Sequence, residues 1–210
     1  MDKLTPDSEE TQRLLAAART GDRQAFEQLF RRHRSALREV MEIRMDPRLR
    51  ARLDPSDVVQ ETHLEAFRRL ADFLEHRPMP FRLWLRKTAQ ERLYLLQRRH
   101  LHAARRATER EVPLPDRSSL VLADRLLASG SAPSEDLNRQ ERARRLRQAL
   151  DQLADMDREI LLMRNFENLS YQEISQLLEI DPAAARKRHG RALLRLHKLL
   201  SAGGVTESNL

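Results

Sequence analysis

The chain has 210 residues, which is enough for one or two domains with hydrophobic cores of their own. Only 4% of the residues are aromatic and five are glycine, a composition that disfavours turn-rich all-β folds and favours an all-α fold. The sequence has no cysteine, which excludes disulfides and thiolate metal sites. It also has no long apolar run and no hydrophobic N-terminal segment, so we expect a cytoplasmic protein without membrane insertion.

Positive charge exceeds negative charge in this chain. Lys and Arg number 39 against 32 Asp and Glu, which gives a net charge of +7, and most of the basic residues are arginine. The planar guanidinium group suits phosphates and guanine edges, so nucleic acid is the first partner to consider. A GC-rich genome would also raise the ratio of Arg to Lys, but it would not explain the clusters of cations described below.

The first part of the chain is predicted to form amphipathic helices. Apolar residues recur with helical spacing from Phe26 to Met41, and Asp22 is a suitable N-cap. A second helix is expected to begin at Asp54, with Pro55 in the first helical position, where its missing N–H costs nothing. The apolar stripe of this helix consists of Val59, Ala66, Phe67, Leu70, Phe73 and Leu74.

The segment Glu75-His76-Arg77-Pro78-Met79-Pro80 should end that helix, because two prolines in three residues cannot continue it. A third helix is expected from about Phe81 past His100, with cations among its apolar residues. Trp84 fits either a core position or a platform on which a base stacks, and helical spacing favours the core. Residues 10–110 are therefore predicted to form one basic helical bundle.

The composition changes after the bundle. Residues 111–134 contain three prolines and most of the local serine, which predicts a flexible linker with at most one short helix near residues 119–128. A second helical domain is expected at residues 135–203. Its apolar positions are Leu146, Leu150, Leu153, Ile160, Leu161 and Phe166.

The second domain contains the pattern of a helix-turn-helix. Ser170 and Glu173 form a capping box, Glu179-Ile180 is the turn, and Asp181-Pro182 starts a second helix. One face of the second helix is predicted to be buried and consists of Ala185, His189, Ala192, Leu193, Leu196, Leu199 and Leu200. The opposite face carries Ala184, Lys187, Arg188, Arg191, Arg195 and Lys198, and could also be an ordinary solvated surface.

Small residues occupy the start of this second helix, where base-reading side chains are expected. Ala183 and Ala184 would allow close approach to the major groove and contact with thymine methyl groups. Lys187, Arg188 and Arg191 would then supply hydrogen bonds to bases, and Arg195 and Lys198 would bind phosphates. The alternative is that alanine is simply the best helix former.

Three stretches, in this order and spacing, resemble regions two and four of bacterial RNA polymerase sigma factors of the extracytoplasmic-function (ECF) type, within the sigma-70 family. They are DPSDVVQETHLEAFRRLADF, PFRLWLRKTAQERL and LDQLADMDREILLMRNFENLSYQEISQLLEIDPAAARKRHGRALLRL. The resemblance spans roughly residues 22 to 200. It implies a factor that binds core RNA polymerase, recognises the −35 and −10 elements of promoter DNA and helps to melt the duplex.

The resemblance also implies three sets of site residues. Core polymerase would be bound by Asp57, Gln60, Glu61 and Leu64, although Asp57 and Glu61 also favour a helix N-terminus electrostatically. The −10 element would be bound by His76, Arg77, Met79, Arg82, Arg86, Lys87 and Arg92. The −35 element would be bound by Ala183, Ala184, Lys187, Arg188, Arg191 and Arg195.

The −35 helix departs from the common family pattern, Thr-Val-Lys-Ser-Arg, and has Ala184-Ala185-Arg186-Lys187-Arg188 in its place. The sequence therefore leaves the upstream DNA element open. It also leaves open whether an anti-sigma factor or another regulator restrains the protein.

Two other functions are weighed against the sigma factor. A helix-turn-helix regulator with a sensor or dimerisation domain would bind duplex DNA without polymerase. A helical metal hydrolase would use some of the seven histidines, but the sequence has no H-E-x-x-H motif and no nucleophile-base arrangement. We expect no enzymatic activity, no cofactor and no metal.

Overall fold

The computed structural model of the protein describes residues 4–45, 53–104 and 136–202. These residues form helices and connecting turns without β-strands, which confirms the all-α prediction. They belong to two compact units, one within Thr5–Pro113 and the other within Leu114–Leu210, to which Met1–Leu4 also belong. No helix in the described ranges is long and apolar enough to span a bilayer.

The helices of the first unit are α1 to α5. Their bounds are Glu9–Arg19 (α1), Arg23–Arg44 (α2), Pro55–Arg68 (α3), Leu70–His76 (α4) and Phe81–Ala104 (α5). The predicted caps are present: the Asp22 carboxylate accepts from the amides of Gln24 and Ala25, and Asp54 forms a capping box with Asp57. Gly21, with φ of 92°, makes the tight turn between α1 and α2.

The structure corrects the prediction of a single helix from Asp54 to Leu74. The helix is interrupted at Arg69, which has φ −94° and ψ 3°, so α3 ends at Arg68 and α4 begins at Leu70. Leu70 and Phe73 of α4 enter the core as expected. Phe67, in the last turn of α3, enters the core only in part. Its ring packs against that of Phe26 with centroids 5.3 Å apart, but the residue is 40% exposed and the Arg23 guanidinium lies 5.2 Å from its ring centroid.

Aromatic rings form much of the core around the start of α5. The ring of Trp84 stacks on that of Phe73 with centroids 4.5 Å apart, and Phe81 packs against both. Trp84 is only 6% exposed, so the core interpretation of this residue is confirmed. The other fully buried side chains of this core include Leu15, Phe26, Leu29, Met41 and Leu93.

The loop before α5 is fixed at both ends. Arg77 ends α4 in the left-handed conformation with φ 38° and ψ 57°, and the two prolines follow it. The first amide of α5, that of Phe81, donates to both carboxylate oxygens of Asp7, at 3.0 and 3.1 Å. Asp7 is 74 positions away in sequence, so this cap was not apparent from the local pattern.

The helices of the second unit are α6 to α9. Their bounds are Asp136–Gln152 (α6), Asp155–Leu161 (α7), Tyr171–Leu178 (α8) and Pro182–Ala202 (α9), and a π-helical segment, Leu162–Phe166, follows α7. The predicted apolar positions of this domain are all buried. The capping box of Ser170 and Glu173 and the turn at Glu179, with φ 55°, are confirmed.

The boundaries predicted for the linker fall outside the described residues, and so does the short helix expected near residues 119–128. Both stay predictions.

The Asp7 cap generates a stability test. We expect Asp7→Ala to lower the free energy of unfolding of the full chain by about 0.5 to 2 kcal/mol, because the Phe81 amide loses its acceptor. Asp7→Asn is the matched control, since asparagine caps about as well as aspartate. Urea denaturation followed by circular dichroism measures both variants, and equal stability of Asp7→Ala and wild type would contradict the role of this cap.

Candidate nucleic-acid and polymerase interfaces

The second helix of the predicted helix-turn-helix is α9, which we call the recognition helix. A single carboxylate caps its start. One oxygen of Asp181 accepts from the amides of Ala183 and Ala184, at 2.7 and 3.3 Å, and Pro182 occupies the first helical position. This arrangement satisfies the first donors of the helix.

The cations of α9 lie on its exposed side. The helix carries six Lys and Arg residues and no acidic residue. The solvent-exposed residues include Ala183, Ala184, Lys187, Arg188, Gly190, Arg191, Arg195 and Lys198. The predicted buried face is correct for Ala185, His189, Ala192, Leu196 and Leu200, but Leu193 is 39% exposed and Leu199 is only partly buried.

The exposed side of the recognition helix includes a glycine, Gly190. A Cβ added at Gly190 would meet nothing within 4 Å, and the residue does not have positive φ. The described residues therefore give no packing reason for glycine here, although glycine is less favourable than alanine in a helix by about 1 kcal/mol. Gly190 follows Ala183 by seven residues, which places both on the same side of α9.

Two of the predicted DNA-binding arginines lie beside a buried carboxylate of the second unit. Asp157, in the first turn of α7, is 2% exposed. Its Oδ2 accepts from Nη1 of Arg195, and its Oδ1 lies 4.0 Å from Nη1 of Arg188. The side chains of Arg188 and Arg195 nevertheless remain 46% and 57% exposed.

His189 anchors the buried side of the recognition helix through both ring nitrogens. Asn165 Nδ2 lies 3.1 Å from His189 Nε2 and donates to the Leu161 carbonyl, while the Tyr171 hydroxyl lies 3.1 Å from Nδ1. An amide nitrogen only donates, so Nε2 accepts and the ring proton resides on Nδ1. Burial lowers the pKa of His189 below its ordinary value, and the nearby Arg164 charge lowers it further.

The residues predicted to bind polymerase form an exposed strip on α3. Asp57, Gln60, Glu61 and Leu64 are all exposed, and Leu64 is 52% exposed. Asp57 has a second task, because its Oδ2 accepts from the Asp54 amide at 2.9 Å within the capping box. An exposed leucine beside carboxylates is suited to a protein partner that offers both apolar and basic groups.

The loop predicted to bind the −10 element presents His76 and Arg77 to solvent, while Met79 is half-buried against the core. Nδ1 of His76 lies 3.0 Å from the Asp72 carbonyl oxygen. This hydrogen bond, together with the carboxylates of Asp72 and Glu75, raises the pKa of His76. The loop thus offers two basic side chains next to the start of α5.

The basic residues of α5 are less accessible than expected. Arg86 is a correction: it is only 6% exposed, whereas direct contact with a DNA strand requires an accessible guanidinium. Arg82, Lys87 and Arg92 are half-buried, and Nη1 of Arg92 lies 3.6 Å from a Glu65 carboxylate oxygen. No group of three His, Cys, Asp or Glu residues suited to a metal ion occurs within the described ranges.

Comparison with known proteins identifies the family. A family model described as sigma-70, region 4, matches residues 143–196, which include α7 and most of the recognition helix. The RNA polymerase sigma factor CnrH of Cupriavidus metallidurans is 30% identical over 195 residues, covering 92% of this chain and 96% of CnrH. The chain belongs to the ECF group of sigma-70 family sigma factors. Another relative of this sigma factor is NccH of Alcaligenes xylosoxydans, 27% identical over 195 residues that cover 91% of this chain and 95% of NccH.

Solved structures share the fold of this sigma factor. CnrH, solved in complex with the cytosolic domain of CnrY, superposes with a TM-score of 0.58 at 24% identity, covering 92% of this chain and 99% of that chain. The sigma factor RpoE of Bartonella quintana, solved with the anti-sigma factor NepR, superposes with a TM-score of 0.54 at 19% identity, covering 84% and 96% of the two chains.

Sequence reasoning missed the contacts that join distant parts of each unit. His189 was placed on the buried face of α9, but its partners Asn165 and Tyr171 could not be read from a helical pattern. The sequence could have indicated a role for Asp157 at the start of a helix, because acidic residues are common in the first turn. Nothing in that pattern indicates its pairing with Arg188 and Arg195.

The environment of His189 predicts how stability of the second unit depends on pH. Because the folded pKa lies below the unfolded value of about 6.5, the unfolded chain binds more protons in the interval between the two. The stability contributed by neutral His189 is therefore present above about pH 6.5 and is lost as pH falls through that interval. Protonation of Nε2 would also oppose the Asn165 donor.

We expect the melting temperature to fall between pH 8 and pH 5 by less in His189→Gln than in wild type. His197→Gln is the matched control, since His197 is exposed on the same helix. His33 in the first unit has its pKa lowered by burial and contributes in the same direction, so the difference between variants is the relevant quantity. A pH profile of His189→Gln parallel to that of wild type would contradict this assignment.

Proposed function

We propose that this chain is a sigma factor in which α3 binds core RNA polymerase, the loop before α5 contacts the −10 element, and α9 reads the −35 element. The relatedness to RNA polymerase sigma factors extends over nearly the whole chain, so both units fall within it. The observation that carries the proposal is the recognition helix, which has six cations, no acidic residue and only small exposed side chains, Ala183 and Ala184, directly after its cap. Such a helix suits a polyanion with a groove.

The proposed −35 contact residues of α9 differ in their exposure and in their ion pairs. Lys187 and Arg191 are exposed and make no ion pair within the described part of the chain, which suits them for base edges or phosphates. Ala183, Ala184 and Gly190 would let the helix lie close to the groove. Arg188 and Arg195 remain in the proposed contact set with one guanidinium nitrogen directed at Asp157.

The proposed −10 contact set is smaller than the sequence suggested. His76 and Arg77 in the loop offer exposed polar groups, and Met79 offers an apolar surface beside them. Arg82, Lys87 and Arg92, all half-buried, are retained as flanking cations, whereas buried Arg86 is assigned to the core of the bundle instead. An extruded base requires an apolar surface and nearby positive charge, which this loop combines.

A regulator that binds duplex DNA without polymerase is the alternative. The exposed strip of Gln60, Glu61 and Leu64 on the first unit favours the sigma factor, because such a regulator does not require it. We propose action in the cytoplasm, where transcription takes place, and we assign no catalytic activity. CnrH and the Bartonella RpoE were each solved with a protein partner, so we include a protein regulator, such as an anti-sigma factor, among the partners of this chain.

The polymerase contact is tested by co-purification. We expect the triple variant Gln60→Ala/Glu61→Ala/Leu64→Ala to bind core RNA polymerase about tenfold or more weakly, because three neighbouring exposed side chains of the proposed interface are lost. Asp57 is left unchanged so that the capping box of α3 stays intact. The control is Gln28→Ala/Glu39→Ala, at exposed positions of α2. Equal capture of core polymerase by the triple variant and wild type, with unchanged circular dichroism, would refute the contact.

The hypothesis of close approach is tested at Gly190. We expect Gly190→Ala to stabilise the chain by about 0.5 to 1 kcal/mol, because alanine favours the helix and the new Cβ meets no atom. We expect the same variant to bind promoter DNA more weakly in the holoenzyme, because the helix is held further from the groove. Ser201→Ala, exposed near the end of α9, is the control. A more stable variant with unchanged DNA affinity would show that Gly190 does not lie against DNA.

A further inference from the structure

We propose that Asp157 is a positioning residue for promoter recognition, which holds Arg188 and Arg195 in the orientation in which they meet DNA. This inference rests on the function proposed above for α9. Asp157 belongs to a different helix, α7, and is itself too buried to touch DNA. It would act through the two arginines.

The carboxylate of Asp157 faces two arginine side chains that lie two turns apart on the recognition helix. Arg188 and Arg195 are seven residues apart, so both project from the same side of α9. Each oxygen of Asp157 faces one of them: Oδ2 accepts from Nη1 of Arg195, and Oδ1 lies 4.0 Å from Nη1 of Arg188. A single buried group thus accepts a hydrogen bond from Arg195 and lies within ion-pair distance of Arg188.

The arginines keep donors for a second partner. A guanidinium group has five N–H donors in a planar fork, and the contact with Asp157 engages only Nη1. Both side chains are about half exposed, which leaves other donors accessible to a phosphate or a base edge. Because ordering a long side chain on binding is unfavourable, an arginine that is already held loses less freedom when it contacts DNA.

The carboxylate also reduces the charge of this surface. Asp157 offsets one of the two positive charges, which weakens the attraction to any DNA irrespective of sequence. Neutralising Asp157 should therefore have opposite effects on the two kinds of binding. Affinity for non-promoter DNA should rise or stay the same, whereas affinity for promoter DNA should fall as the arginines lose their orientation.

A purely structural role for Asp157 makes a different prediction. An acidic residue in the first turn of a helix is favourable in itself, and its loss would lower stability without changing the choice of DNA. Asp155 provides the matched control. It lies in the same first turn of α7, its side chain is 91% exposed, and it pairs with Arg158 of its own helix at 2.8 Å.

The experiment measures discrimination by the reconstituted holoenzyme. The two probes are the duplex that wild-type holoenzyme selects from a random pool and a scrambled duplex of the same length and composition. We expect Asp157→Asn to reduce the ratio of the two affinities by about tenfold, as for the loss of one good base contact. Asp155→Asn should leave the ratio unchanged, and Asp157→Glu, which keeps the carboxylate, should retain most of it.

Two further variants link the effect to the arginines. In an Arg188→Ala/Arg195→Ala background, Asp157→Asn should cause no additional loss of discrimination, because its targets are gone. Arg188→Lys/Arg195→Lys keeps both charges but loses the planar forks, and it should also discriminate poorly. The double-lysine variant remains informative even if Asp157→Asn does not fold.

The inference would be overturned if Asp157→Asn folds and discriminates between the two duplexes as well as wild type does. It would also be overturned if Asp157→Asn reduces discrimination as much in the Arg188→Ala/Arg195→Ala background as it does in the wild-type background. If Asp157→Asn does not fold, full discrimination by the lysine variant would overturn it. Failure of the wild-type holoenzyme to select any sequence would instead refute the proposed function.

Discussion

Side-chain oxygens at the helix starts are the constraint on which the rest of this structure depends. Asp22, Asp54, Ser170 and Asp181 each accept from amides in the first turn that would otherwise have no partner. Each cap fixes where its helix begins, whereas the side chains that pack into the core fix how the helix is rotated about its axis. On α9 the buried face of Ala185, His189, Ala192, Leu196 and Leu200 turns the cations toward the solvent. The cap at Asp181 and this buried face together define the exposed surface that we propose for DNA.

The same chemistry acts over longer distances in both units. Asp7 caps α5 across 74 positions of sequence, which fixes the end of the loop that carries His76 and Arg77. Asp157 reaches from α7 to two arginines of α9. In a chain with a net charge of +7, these two carboxylates do more than offset charge. Asp7 holds the end of a loop that we propose for DNA, and Asp157 contacts two arginines of the proposed −35 contact set.

Local patterns predicted the parts of the fold that depend on local interactions. The caps at Asp22, Asp54 and Ser170 and the buried face of α9 were predictable because the interacting residues lie within one or two turns of each other. The break at Arg69 was not, because an apolar stripe continues through it and only packing shows that Phe67 is partly exposed. The family resemblance and the charge of Arg86 placed it among the −10 DNA contacts, whereas the bundle buries it. The pairing of Asp157 with α9 required the tertiary arrangement of α7 and α9.

We propose that the first unit binds core RNA polymerase and the −10 element, and that the second unit binds the −35 element. Run-off transcription by core RNA polymerase on genomic fragments, with and without the full chain, tests this claim most directly. We expect transcripts with defined start points that appear only when the chain is added, and that are lost when Lys187 and Arg191 are both replaced by alanine. Transcripts that do not depend on the chain, together with tight sequence-specific binding of duplex DNA by the chain in the absence of polymerase, would contradict this function and indicate a helix-turn-helix regulator.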